Sequence, residues 1–110
     1  GLSRCRVLRG PQQQLYAAAW TSPSPLPTVA EHLRIFDCII HPHAEKKSAS
    51  LLQEVLADDA ANLLVAYTAG PDTIRRRALI AAGFALEASL ADHIELAGQR
   101  LSLDVWHLRR

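Results

Sequence analysis

The chain contains no methionine, only two cysteines, and only two each of tryptophan, tyrosine and phenylalanine. Two cysteines, Cys5 and Cys38, cannot build a disulfide framework, and neither sits in a Cys-x-x-Cys pair. Both are read as reduced thiols, with Cys38 buried in a strand as a small apolar group. No apolar run approaches the ~20 residues that span a bilayer, and no signal-peptide pattern is present. Blocks of like charge are also missing. The formal charge is +1, and the basic residues cluster only at Arg75-Arg76-Arg77 and Arg109-Arg110, a weak basis for a nucleic-acid surface. Without methionine, Gly1 is not expected to be a translation start; the N-terminus is processed, left from a tag, or the edge of a fragment. No internal repeat appears.

What is present fits one small domain over residues 1–110. Apolar residues make up 49%, enough to build a core, with modest reserve at this length. Reduced thiols and the lack of an export signal point to the cytoplasm.

Arg4 to Arg9 alternates polar and apolar residues, Gly10-Pro11 is a turn, and Leu15 to Thr21 reads as a second strand, which gives a hairpin. Pro23, Pro25 and Pro27 exclude helix and interior strand over Ser22 to Thr28. That stretch is expected to be an exposed loop, either a connector or a segment that touches substrate. His32 to Ile40 is the strongest strand pattern, and Pro42 ends it. Ser48 is positioned to cap a helix whose stripe is Leu51, Leu52, Val55 and Leu56 and which Asn62 closes. Leu63 to Thr68 reads as a buried strand of the parallel type. Asp72 can cap a second helix with the stripe Ile74, Ala78, Leu79 and Ala82, and Gly83 stops it. Phe84 to Leu96, a turn at Ala97-Gly98-Gln99, and Arg100 to Leu108 complete the order β-β-β-α-β-α-β-β. The fold class is α/β (α+β): a mixed, mainly antiparallel sheet with a central β-α-β crossover.

Three stretches in this order resemble the GNAT superfamily of acyl-CoA-dependent N-acetyltransferases. The first is Ile39-Ile40-His41-Pro42 running on to Leu51-Leu52-Gln53-Glu54-Val55-Leu56, similar to the family's strand, phosphate loop and helix. The second is Asp72-Thr73-Ile74-Arg75-Arg76-Arg77-Ala78-Leu79-Ile80-Ala81-Ala82-Gly83-Phe84, similar to a family helix that begins with Asn and ends in Gly-Phe. The third, Leu90-Ala91-Asp92-His93, Gly98, Asp104-Val105 and Leu108, is similar to the closing hairpin. A complete member begins with a strand and two helices before the first hairpin, and nothing here corresponds to them. Either the domain is trimmed or a partner chain supplies that wall.

The resemblance implies acetyl-CoA as co-substrate and an amine acceptor. Backbone groups of Cys38, Ile39 and Ile40 would hold the pantetheine. The loop Glu45, Lys46, Lys47, Ser48, Ala49 and Ser50 would hold the pyrophosphate, with Asp72 beside it. The family's loop uses glycine to crowd amides around phosphate at a helix N-terminus, whereas this loop has none. Lys46 and Lys47 are then either phosphate ligands or a solvated pair at a helix start. The family often places a Tyr seven residues after the Asn, to protonate the departing thiolate; Leu79 stands there, and leucine donates no proton. Asp37, Glu31 and His93 are the weak candidates for general base, each competing with an ordinary role as a strand residue. Asp92 and Asp104 are expected to hydrogen-bond within the closing hairpin. Arg75, Arg76 and Arg77 form either a solvated helix face or a site for the CoA 3′-phosphate. His41 and His43 flank a proline and lack metal-ligand spacing, so no metal site is expected. The functional expectation is an N-acetyltransferase; the alternative is a non-catalytic module of the same fold used for dimerisation or partner binding.

Overall fold

The structure is a computed structural model that describes residues 4–25 and 33–110. Strands β1 (Arg4–Arg9), β2 (Leu15–Pro23) and β3 (Leu33–Ile40) form an antiparallel ladder with Val7 opposite Ala18 and Ala19 opposite Cys38. The second strand runs two residues past its expected end at Thr21. Among the described residues β1 begins opposite Thr21, so Pro23, opposite Arg34, is paired there on one side only, where its missing N–H is tolerated. His32, expected in the third strand, lies outside the described residues.

Pro42 starts a single 3-10 turn, Pro42–Ala44, that runs straight into helix α1 (Glu45–Asp58). Ser48 is therefore inside the helix and not its cap. It is buried, and its hydroxyl donates back to the Glu45 carbonyl at 2.7 Å. The helix ends at Asp58 rather than near Asn62. Asp59 is extended, with its carboxylate buried against Arg34 at 2.7 Å and the Ala61 N–H at 2.8 Å. Strand β4 (Leu63–Ala69) then lies parallel to β3. Asp72 caps helix α2 (Thr73–Ala81), accepting from the Arg75 N–H at 3.2 Å, and Gly83 leaves it at φ +100°. Strands β5 (Ala85–Leu96) and β6 (Gln99–Arg109) close the chain through a turn at Ala97-Gly98, both at positive φ.

The sheet order is β1-β2-β3-β4-β6-β5. Side chains alternate across each strand, so Ala17, Ala19, Phe36, Cys38, Leu64, Ala66 and Trp106 face the helices, where they meet Leu52, Val55, Leu56 and Leu79. Burying a side chain such as Phe36, Leu52, Leu64 or Leu79 is worth about 1.5–3 kcal/mol, and these four are almost wholly buried. Trp106 keeps its indole N–H satisfied on the Thr68 hydroxyl at 2.9 Å. Among the described residues the opposite sheet face carries no helix, and Tyr67 and Ile39 stand exposed on it.

Four arginines gather at the C-terminal end of α1. Arg110 donates to the carbonyls of Leu56, Asp59 and Ala61, the first two at 2.6 Å. Arg6 chelates the Asp58 carboxylate, Arg4 reaches the Asp58 carbonyl, and Arg34 holds Asp59. Cations here complement the negative end of the helix dipole. No helix among the described residues is long and apolar enough to cross a membrane.

Candidate functional site

The parallel ladder between β3 and β4 is short. It pairs Leu33 with Leu63, Arg34 with Leu64 and Ile35 with Val65, then stops. Both strands continue, to Ile40 and to Ala69, without each other. A wedge-shaped gap opens between them, and unpaired backbone groups along it need other partners.

Those partners are side chains. The Cys38 N–H donates to the Asp37 carboxylate at 2.8 Å. Arg75, from the first turns of α2, donates to the same carboxylate and, at 2.9 Å, to the Tyr67 carbonyl on β4. Its other terminal nitrogen holds Asp72 at 3.2 Å. Burial works against the Arg75 charge, but Asp37 and Asp72 more than offset it and hold the guanidinium ionised. Burial also pushes the Cys38 thiol up to about 11, against the pull of Arg75, so this cysteine is no nucleophile at neutral pH.

Past the gap, the Tyr16 carbonyl accepts the His41 N–H at 2.8 Å. The His43 N–H donates to His41 Nδ1 at 3.1 Å, and the two imidazoles stack. Among the described residues no group of three or more His, Cys, Asp or Glu side chains is placed to hold a metal ion. The expected phosphate loop, Glu45 to Ser50, is the start of α1 itself, because the turn begun by Pro42 leaves no loop. Its first turn has no side-chain cap of its own, because the Pro42–Ala44 turn that runs into it is the one capped, by His41 Nδ1 accepting from the His43 N–H; the positive end of the dipole lies at this end of the helix. Lys46 and Lys47 project there, exposed. Ser50 and Ala49 are exposed beyond them, while the Ser48 hydroxyl is spent inside the helix.

Between α1 and α2 lies a cleft of about 430 Å³ with an apolar wall of Ala49, Leu52, Ala78 and Ala82. Glu45 and Arg77 close one side, paired at 2.6 and 3.0 Å. The Arg77 hydrogen bond holds the Glu45 carboxyl below its usual range. The three consecutive arginines therefore do not form one solvated face. Helical steps of about 100° send them apart: Arg75 into the gap, Arg76 to the buried Asp104 and over the Trp106 ring, Arg77 across to Glu45.

The base candidates fare differently. Asp37 is in the gap, with its carboxylate taken by Arg75 and the Cys38 N–H. His93 lies on β5, separated from β3 by two strands, with Nδ1 near the Ala91 carbonyl at 2.8 Å. Glu31 lies outside the described residues. Leu79 is buried in the core. Asp104 accepts from the Ser89 hydroxyl across the β5–β6 hairpin at 2.6 Å, while Asp92 sits at positive φ in a β5 bulge. Asp72, read as a cofactor contact, spends its carboxylate on the α2 cap and Arg75. Sequence reasoning named Arg75 only as part of a solvated face or a 3′-phosphate site, and missed both its place in the gap and the Tyr67 carbonyl. The available signal was Asp37, a lone charge in an apolar strand that needs a partner.

No protein-family model matches the chain, and no curated protein matches it in sequence. Solved structures match its fold. A Streptococcus mutans protein, smu.2055, superposes with TM-score 0.81 at 17% identity, over 98% of this chain and 70% of its own. A GNAT superfamily phosphinothricin acetyltransferase from Sinorhizobium meliloti, in complex with AcCoA, gives 0.78 at 18%, over 94% of this chain and 58% of its own. Spermidine N-acetyltransferase SpeG of Vibrio cholerae, as an F149A mutant, gives 0.74 at 15%, over 97% and 65%. The chain has the fold of GNAT-superfamily acetyltransferases and spans 58% to 70% of these three.

Proposed function

We propose that this chain binds acetyl-CoA and passes its acetyl group to an amine. The carrying observation is the β3–β4 gap, together with the cleft between α1 and α2 that the start of α1 lines, in a fold shared with acetyltransferases, one of them in complex with AcCoA. The three parts of an acyl-CoA match these in chemistry. Backbone groups of Cys38, Ile39 and Ile40 face an amide-bearing arm. First-turn amides of α1, with Lys46 and Lys47, suit a diphosphate. The wall of Ala49, Leu52 and Ala78 suits an adenine ring.

In the transfer, the amine nitrogen bonds to the thioester carbonyl carbon and gives up one proton to solvent, the carbon–sulfur bond breaks, and the leaving thiolate takes up one proton from solvent. Asp37 is engaged and His93 is remote, so in this reading the amine arrives neutral or yields its proton to water. A second reading, binding without catalysis, is favoured by Leu79 being buried where the resembling enzymes often carry a proton-donating Tyr. The reading places the protein in the cytoplasm, tested by cell fractionation; a homodimer belongs with the second reading, and sedimentation tests it.

Thermal unfolding with and without millimolar acetyl-CoA tests the binding. Ligand at ~100 times its dissociation constant adds about 2.7 kcal/mol, a rise of roughly 10 °C or more for so small a domain. No rise defeats the proposal. A rise without thiol release, when polyamines and small amine acceptors are supplied, leaves the binding module.

A further inference from the structure

Two of the backbone groups that an extended ligand would use in the β3–β4 gap are already taken. The Cys38 N–H is held by Asp37 and the Tyr67 carbonyl by Arg75, and the two side chains are paired with each other. Phe36, Cys38 and Ile40 are buried on the helix side of β3, so the alternation of the strand puts Asp37 on the other side. Arg75 starts from α2 on the helix side and reaches Asp37 only by entering the gap. The pair therefore joins the two strands where their own hydrogen bonds have stopped. Arg75 is also incompletely satisfied there: its buried Nε–H has no hydrogen-bond partner. A buried donor left without an acceptor is costly, which makes this filling one that a better acceptor can replace.

We propose that the Asp37–Arg75 pair is an internal plug of the β3–β4 gap, holding the place of an extended amide-bearing ligand that must displace it to bind. The ligand's class, the pantetheine arm of an acyl-CoA, rests on the functional reading above; the plug itself does not. Displacement exchanges partners one for one: a ligand carbonyl takes the Cys38 N–H, a ligand N–H takes the Tyr67 carbonyl, and Arg75 moves out with Asp37 or toward Asp72. The two residues thus set the threshold affinity of the gap. Neither forms nor breaks a covalent bond.

The test uses the full chain, with Arg75→Gln and Asp37→Ala as separate variants and pantetheine as the probe. Pantetheine is uncharged, and the two variants change the charge of the gap in opposite directions. A shared gain therefore reports unplugging and not electrostatics. The expected result is that both bind pantetheine about tenfold more tightly than the parent, the ratio of roughly one charge-assisted hydrogen bond. Amide hydrogen exchange at Cys38, read without ligand, accelerates in both variants and slows again on saturation with pantetheine. Equal or weaker binding by both variants overturns the plug, as does unchanged Cys38 exchange in the ligand-free protein. If no form binds pantetheine or acetyl-CoA while Cys38 exchange still accelerates, the acyl-CoA reading fails and the plug stands.

Discussion

The two ends of α1 are finished in opposite ways. At its C-terminus, Arg110 takes up three main-chain carbonyls while Arg6 and Arg34 hold the carboxylates of Asp58 and Asp59. At its N-terminus the first turn has no side-chain cap of its own, and Lys46 and Lys47 stand exposed, Lys46 lining the α1–α2 cleft. One end has its orphan carbonyls answered from within the chain. The other presents the positive end of the dipole with two exposed lysines beside it. Hydrogen bonds from distant parts of the chain are concentrated where no ligand is expected, and exposed positive charge where one is.

The sharpest way to break the contrast is at the C-terminal end. Asp59→Ala strips the buried Arg34 of its carboxylate and the Ala61 N–H of its acceptor, and losing one partner of such a pair costs about 3–5 kcal/mol. Urea unfolding should register that loss in the midpoint. The same residue shapes the acid limb of stability. Burial pushes its carboxyl up, but the Ala61 N–H, Thr21 and Arg34 more than offset this and hold it below the usual range. A folded-state pKa below the unfolded one gives stability present above about pH 4 and lost as pH falls through the folded value. Asp59→Asn should therefore flatten the acid limb, as circular dichroism from pH 5 to pH 2 would show.

Arg110→Ala is expected to cost less, about 1–3 kcal/mol, since water can reach part of the helix end it uncovers. A loss below 0.5 kcal/mol would mean that the clamp is decorative. The smallest effect on stability belongs to the other end. Lys46→Glu together with Lys47→Glu should change unfolding by no more than ~0.5 kcal/mol, the usual range for surface substitutions, while abolishing the thermal shift with acetyl-CoA. A large unfolding penalty there would erase the contrast between the two ends.

Much of the fold was legible because periodicity speaks for packing. Leu51, Leu52, Val55 and Leu56 form the buried stripe of α1, and Asp72 and Gly83 bound α2 as cap and stop. What stayed hidden depends on distant partners. Ser48 has the chemistry of a cap, but Pro42 launches the turn three residues before α1 begins and absorbs it. Nothing local shows that the last residue, Arg110, caps a helix 51 or more residues earlier in the chain. The gap itself was half visible. Cys38 to Ile40 were marked as its wall, yet the meeting of Asp37 with Arg75, 38 residues apart, comes from the crossover and from no pattern in either segment.

The short ladder between β3 and β4 has a mechanical meaning as well. Among the described residues it is the only strand pairing between two antiparallel three-stranded blocks, β1-β2-β3 and β4-β6-β5, and it is three residue pairs long against seven in each flanking ladder, β2–β3 and β4–β6. A pulling force applied across the sheet would concentrate there. The molecule should yield as two leaves parting along the gap, with α1 spanning the first leaf and tied to the second where Arg110, just past β6, grips its C-terminal end.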